Sequence, residues 1–183
     1  MASNKVNLGI GNVSGMFYIA PASTALPTDS SSSLSSWTEA GAVTADGITW
    51  ATGKDSEPLR NWAKQVERLV AGDEGGTVTA PLMYTDQKTL ETIFGAGNVS
   101  VAAATSQHGQ TVSVTVEPGV SAEPMAFLFV MKDSDDLIFL GTSRGIVREV
   151  SDIAMSPTEA IVWEIVIEAD SWTFIKDDGQ VTS

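Results

Sequence analysis

The stretch 77–94 constrains the fold more than any other part of this chain. Its first half is extended (Thr77, Val78, Thr79, Ala80, Pro81, Leu82, Met83, Tyr84) and passes without a linker into Thr85-Asp86-Gln87-Lys88-Thr89-Leu90-Glu91-Thr92-Ile93-Phe94. Thr85 or Asp86 can cap the free N–H groups of a short helix, and Asp86 sits where the helix dipole favours an anion. Leu90, Ile93 and Phe94 fall at i, i+3 and i+4 and make one apolar stripe. Gly95 and Gly97 then supply a stop. A helix this short is marginal in water, so it must dock on a sheet, with all three stripe residues facing that core. Most of the remaining sequence reads as strand, which makes this a β protein with one docked helix.

Bulk composition narrows the possibilities. The chain has 183 residues, 43% of them hydrophobic and 18% charged, which suits a single globular domain with a sizeable core. The formal net charge of −13 argues against holding nucleic acid by charge attraction. Absence of cysteine excludes disulfides and thiolate metal sites. No apolar run approaches the ~20 residues of a membrane span. The N-terminal residues show no apolar core of a secretory signal.

Along the chain, residues 13–20 form the first candidate strand, closed by Pro21. Residues 21–45 shift to Ser, Thr, Ala and Pro, with four consecutive serines at 30–33. So long a structureless loop is uncommon in a compact domain. Leu26, Leu34 and Trp37 within it argue for a contact arm over a pure linker. Residues 47–52 alternate as a strand. Residues 58–72 are ambiguous: Leu59, Trp62, Val66, Leu69 and Val70 suit a helix, whereas Val66, Arg68 and Val70 also alternate as a strand would. Further strands are expected at 98–104 and 110–117, where Val112, Val114 and Val116 share a face. Met125 opens a continuous apolar run to Met131, hence a strand covered on both faces. A hairpin partner follows at 137–142, then a strand at 146–155. The last and longest is expected at 160–169, with Ile161, Trp163, Ile165 and Ile167 on one face and Val162, Glu164, Val166 and Glu168 on the other.

Several motifs fail on chemistry. Gly141-Thr142-Ser143-Arg144-Gly145 matches a nucleophile elbow, but the only histidine, His108, precedes the serine, and strand follows where a helix is needed. A hairpin turn of small residues is the better reading. Gly9-Ile10-Gly11 lacks a preceding strand, and Gly53-Lys54-Asp55 has aspartate where a phosphate loop needs Ser or Thr. Glu164 and Glu168, four residues apart on one strand, are separated by about 13 Å, beyond the ~5–9.5 Å of a glycosidase pair. Asp133, Asp135 and Asp136 lack the glycine and distal glutamate of a calcium loop. The sequons at Asn12 and Asn98 have meaning only with secretion. No enzyme signature survives, and no motif calls for a cofactor.

An ordered series of short matches remains: Gly15-Met16-Phe17-Tyr18, Ala20-Pro21, Leu26-Pro27, Trp37, Gly41, Asp46-Gly47, Asp55-Ser56-Glu57, Trp62, Leu90 with Ile93-Phe94-Gly95, and the hairpin from Met125 to Leu140. In this series the chain resembles the major tail proteins of long-tailed, non-contractile phages of actinobacteria, over nearly its whole length. The resemblance implies two packed antiparallel β-sheets, sandwich- or barrel-like, with one flanking α-helix, in a single tail-tube domain spanning 1–183. It implies strands for much of 58–72. It also implies hexameric rings stacked as a tube in the virion tail, assembled in the host cytoplasm. Tape measure, tail terminator and baseplate proteins would be the partners, and DNA would pass through without sequence-specific binding. The immunoglobulin-like decoration domain of some relatives is not expected here.

The physical reading fits that role. An acidic wall passes DNA without holding it, and the lumen-facing candidates are Glu164 and Glu168, with Glu117 and Glu149 behind them. The arm at about 21–45, anchored by Leu26, Leu34 and Trp37, suits contact with the next ring. The alternative from a different class is a carbohydrate-binding β-sandwich that stacks sugars on exposed Trp37, Trp50 or Trp62.

Overall fold

A computed structural model describes residues 17–53, 56–60, 62–64, 66–71, 75–116, 122–133 and 136–178. The strands are β1 (Phe17–Pro21), β2 (Thr38–Gly41), β3 (Thr49–Ala51), β4 (Ser56–Arg60), β5 (Val66–Ala71) and β6 (Gly76–Leu82). After the helix α1 (Gln87–Phe94) come β7 (Val99–Ala102), β8 (Thr111–Val114), β9 (Met125–Asp133), β10 (Asp136–Val150), β11 (Trp163–Ala169) and β12 (Thr173–Asp177). The chain is therefore mainly β, and α1 is the one α-helix among the described residues.

Eight strands form one antiparallel sheet in the order β2-β1-β9-β10-β11-β6-β3, with β12 on β10. Its two ends meet. Val43, just past β2, bridges Leu82 of β6. Thr44 N–H donates to the Pro81 carbonyl and Met83 N–H to the Ala42 carbonyl, both at 2.9 Å. Six strands thus close on themselves, which pairs edges that would otherwise be open. The inside is filled by the alternate residues of each strand: Val78, Ala80 and Leu82 from β6, Trp163, Ile165 and Ile167 from β11, and Phe17, Phe127 and Phe129 from β1 and β9. Phe17 stacks on Phe129 with centroids 4.9 Å apart.

A second apolar layer lies on the other face of β9 and β10, where Leu128, Val130 and Phe139 are buried under the segment that follows β1. This is why 125–131 reads as unbroken apolar sequence: β9 is covered on both faces. The two strands expected at 137–142 and 146–155 are instead one strand of 15 residues, β10. Gly141 to Gly145 forms no turn; the pairing of β10 with β9 shifts register between Thr142 and Gly145. That bulge bends β10, so its first half carries β12 and its second half carries β11. A Cβ on Gly145 would lie 3.1 Å from the Glu168 carbonyl, so glycine there lets two backbones approach. β10, not β11, is the longest strand.

Of residues 58–72, 58–60 lie in β4 and 66–71 in β5, and the two strands pair antiparallel. Local period slightly favours a helix there, but a strand needs only a partner, and β4 supplies one. β7 and β8 form another separate pair, on which Val112 and Val114 pack partly against the core while Val116 is exposed.

Candidate functional site

Asp86 caps α1: its carboxylate accepts from Thr89 N–H at 2.8 Å. Gly95 ends the helix at φ 85°, in the left-handed region, with its N–H on the Glu91 carbonyl. Leu90 and Ile93 are buried, whereas Phe94 is only half-buried, meeting Trp163 edge-on at 5.7 Å. The apolar stripe does not announce two further contacts. Thr89 and Thr92 are buried, and Thr89 Oγ1 donates to the Ala40 carbonyl of β2 at 2.8 Å. That bond satisfies a backbone acceptor on a sheet edge and fixes the helix there. Glu91 accepts from Lys88 and Gln87, and these bonds hold its carboxyl below the ordinary glutamate range.

The outward face of β11 carries Glu164 and Glu168, both exposed, on either side of Val166. Opposite them on β6 stand Pro81, Thr79 and Thr77. Glu149 is exposed on the neighbouring β10. Glu117 lies outside the described residues. The acids on this face are not bare: Arg148 pairs with Glu168 at 3.2 Å, and Glu164 accepts from Ser151 Oγ at 2.8 Å. At the β9–β10 tip, Asp136 is held by Lys176 at 3.1 Å.

The arm anchors Leu26, Leu34 and Trp37 sit on the subunit's own sheet, against Leu128, Val130 and Phe139, with Trp37 only 8% exposed. Ser23 N–H ties the arm to the Ser143 carbonyl in the β10 bulge at 2.7 Å. The serine tract forms a turn around Asp29, whose carboxylate takes Ser31 N–H and Ser31 Oγ; these bonds hold the acid below its usual range. Ser30 N–H reaches Asp177 Oδ2 at 2.6 Å.

The three tryptophans of the sugar-binding alternative do not share a surface. Trp37 is buried, Trp50 is half-buried and stacks parallel to Phe174 at 6.5 Å, and Trp62 is fully exposed. Trp62 lies between β4 and β5. Among the described residues β4 pairs only with β5 and the ribbon carries no third strand. Such a two-stranded hairpin is marginal in water without something to lie against.

Together these features define a β subunit built around a closed barrel with an acidic outer face on β11. A family model for phage tail tube proteins matches residues 1–179, and the chain belongs to that family. It is a structural component of phage tails. No curated protein sequence matches the chain. Among solved structures it is similar to the cap that terminates the tube of an anti-feeding prophage, with 9% identity over 96% of this chain and 97% of that one, and a TM-score of 0.44. It is also similar to a chain in the tail of an empty GTA particle, refined helically with C6 symmetry, with 12% identity over 87% and 94% and a TM-score of 0.40. Both scores are too low for a residue-by-residue comparison.

Proposed function

We propose that this chain, acting as one tail-tube unit, builds the tail tube of a long-tailed, non-contractile phage of the actinobacterial type. Six copies would close a ring, rings would stack, and DNA would be ejected through the bore without sequence-specific contacts. Tape measure, tail terminator and baseplate proteins would bound the tube. Besides the family, the β4–β5 ribbon supports this reading: among the described residues it joins no larger sheet, and a two-stranded pair suits a subunit whose fold is completed by neighbours. Glu164 and Glu168 are the proposed lumen residues, with Glu149 and Glu117 as further candidates. In the arm, Leu26, Leu34 and Trp37 fix the base while the serine turn meets the next ring. Electron microscopy of the concentrated full chain is expected to show six-fold rings and tubes. A single monomeric species at every concentration, by sedimentation and by microscopy, would overturn the reading.

A further inference from the structure

We propose that Trp50 and Trp172 form a clasp at the root of the β4–β5 ribbon, with one indole N–H engaged and the other held without a partner. The ribbon then joins the barrel through a joint with two settings, closed and open. This device lies within a single copy of the chain and does not depend on the tube reading.

The strands that lead toward the ribbon do not continue into it in register. Ala51 of β3 pairs with Thr77 of β6, whereas Ser56 of β4 pairs with Ala71 of β5. Residues 52–55 therefore span one leg of the root and residues 72–76 the other, an offset of one residue. An extra residue on one leg of an antiparallel pair interrupts the ladder and lets the pair bend.

Both indoles reach this root because residue 76 is glycine. A Cβ on Gly76 would lie 2.9 Å from the Ala51 carbonyl oxygen, 3.1 Å from Trp172 Cδ1 and 3.2 Å from Trp50 Nε1. Trp172, in the link from β11 to β12, donates its Nε1–H to the Gly76 carbonyl at 2.8 Å. Trp50, in β3, lies parallel to Phe174 of β12 with centroids 6.5 Å apart. Its Nε1 is buried beside the same glycine and has no hydrogen-bond partner, alone in this among the buried side-chain polar atoms of the described residues. A buried donor left unpaired costs free energy that a hydrogen bond would return. The ring stack and the Trp172 bond hold the root closed, and the unpaired Trp50 N–H works against them. Opening gives that donor water or a backbone carbonyl, at the expense of the Trp172 bond.

Hydrogen exchange in the full chain reads the joint. Trp172→Phe keeps a ring but leaves the Gly76 carbonyl without its donor. The amides of β5 and of Gly76 should then exchange about tenfold faster, as for one lost hydrogen bond, with those of β9 unchanged. Trp50→Phe keeps a ring against Phe174 and removes the unpaired donor. The same amides should then exchange more slowly than in the wild type, and melting should hold or rise. Opposite signs from two Trp→Phe changes in one cluster are not what simple loss of packing gives. In the wild type, NMR relaxation dispersion should show the indole N–H signals of Trp50 and Trp172 exchanging together on the microsecond-to-millisecond scale. That measurement decides the matter even where a variant fails to fold. Two variants that loosen the ribbon alike, or wild-type indole signals without exchange, would overturn the joint and reduce the clasp to ordinary packing.

Discussion

Thr89 and Ile93 show how much of α1 depends on single contacts. Truncating Ile93, 4% exposed, to alanine is expected to cost about 2–5 kcal/mol in urea unfolding. Phe94→Ala should cost less than Ile93→Ala, because Phe94 is already half in water. Equal losses would mean the half-buried ring contributes as a core residue does. Thr89→Val keeps the shape but strands the Ala40 carbonyl, at about 1–3 kcal/mol. Glu91 gives a pH test. Its folded-state pKa is lowered, first by the bond from Lys88 and then by that from Gln87. The stability it adds is therefore full above the unfolded glutamate pKa and disappears as pH falls through the folded one. Wild type should melt higher than Glu91→Gln at neutral pH, and the two curves should converge on acidification below about pH 4. A gap that persists at low pH would place the effect in packing and not in charge.

Among the elements, the arm and β10 are the pair to probe. A Cβ on Gly141 would come within 2.8 Å of Leu26 Cδ2 and 3.0 Å of the Phe127 carbonyl. Leu26 can swing aside; the backbone oxygen cannot. Gly141→Ala is expected to destabilise the subunit by about 1–3 kcal/mol and to speed proteolysis within 28–36, as the arm loses its seat. Unchanged protection would show that the arm is held elsewhere. Removing only residues 28–33 tests the inter-ring role without uncovering Leu128, Val130 and Phe139. That variant should melt close to wild type and fail to form tubes, and tubes of normal length would sink the role assigned to the serine turn.

For the whole molecule, the test is passage of DNA. Replacing Glu164 and Glu168 together by lysine changes an exposed face, and the lost Arg148 pair contributes at most about 1 kcal/mol. Stability should therefore barely move. If this face lines the bore, every ring gains cations able to hold phosphates in a salt-dependent way. Phage with this change should build tails of normal length and eject DNA slowly or incompletely. Normal ejection kinetics would place these carboxylates on the outer wall.

The sequence by itself determined what periodicity and local chemistry can determine. The alternation of Trp163, Ile165 and Ile167 against Glu164 and Glu168 is the pleat of β11 read directly. A cap at Thr85 or Asp86 and a stop at Gly95 follow from backbone groups within a few residues, and the fold makes Asp86 the cap. The unbroken apolar run of β9 signalled cover on both faces, though not that 26–37 provides one of them. What only the tertiary structure decided depends on partners distant in sequence. Gly141 to Gly145 looks like a turn locally, yet it is a bulge in a continuous β10, because β9 pairs on either side of it and β11 takes over from β12 at Gly145. Thr89 and Thr92 are polar by composition and buried in fact, one of them because the Ala40 carbonyl, 49 residues away, needs a donor. Residues 66–71 can wind or extend, and β4 settles them as a strand. Closure of the barrel rests on Val43 meeting Leu82. No local pattern encodes that pairing, because its free energy comes from joining two sheet edges that exist only once the remaining strands have paired.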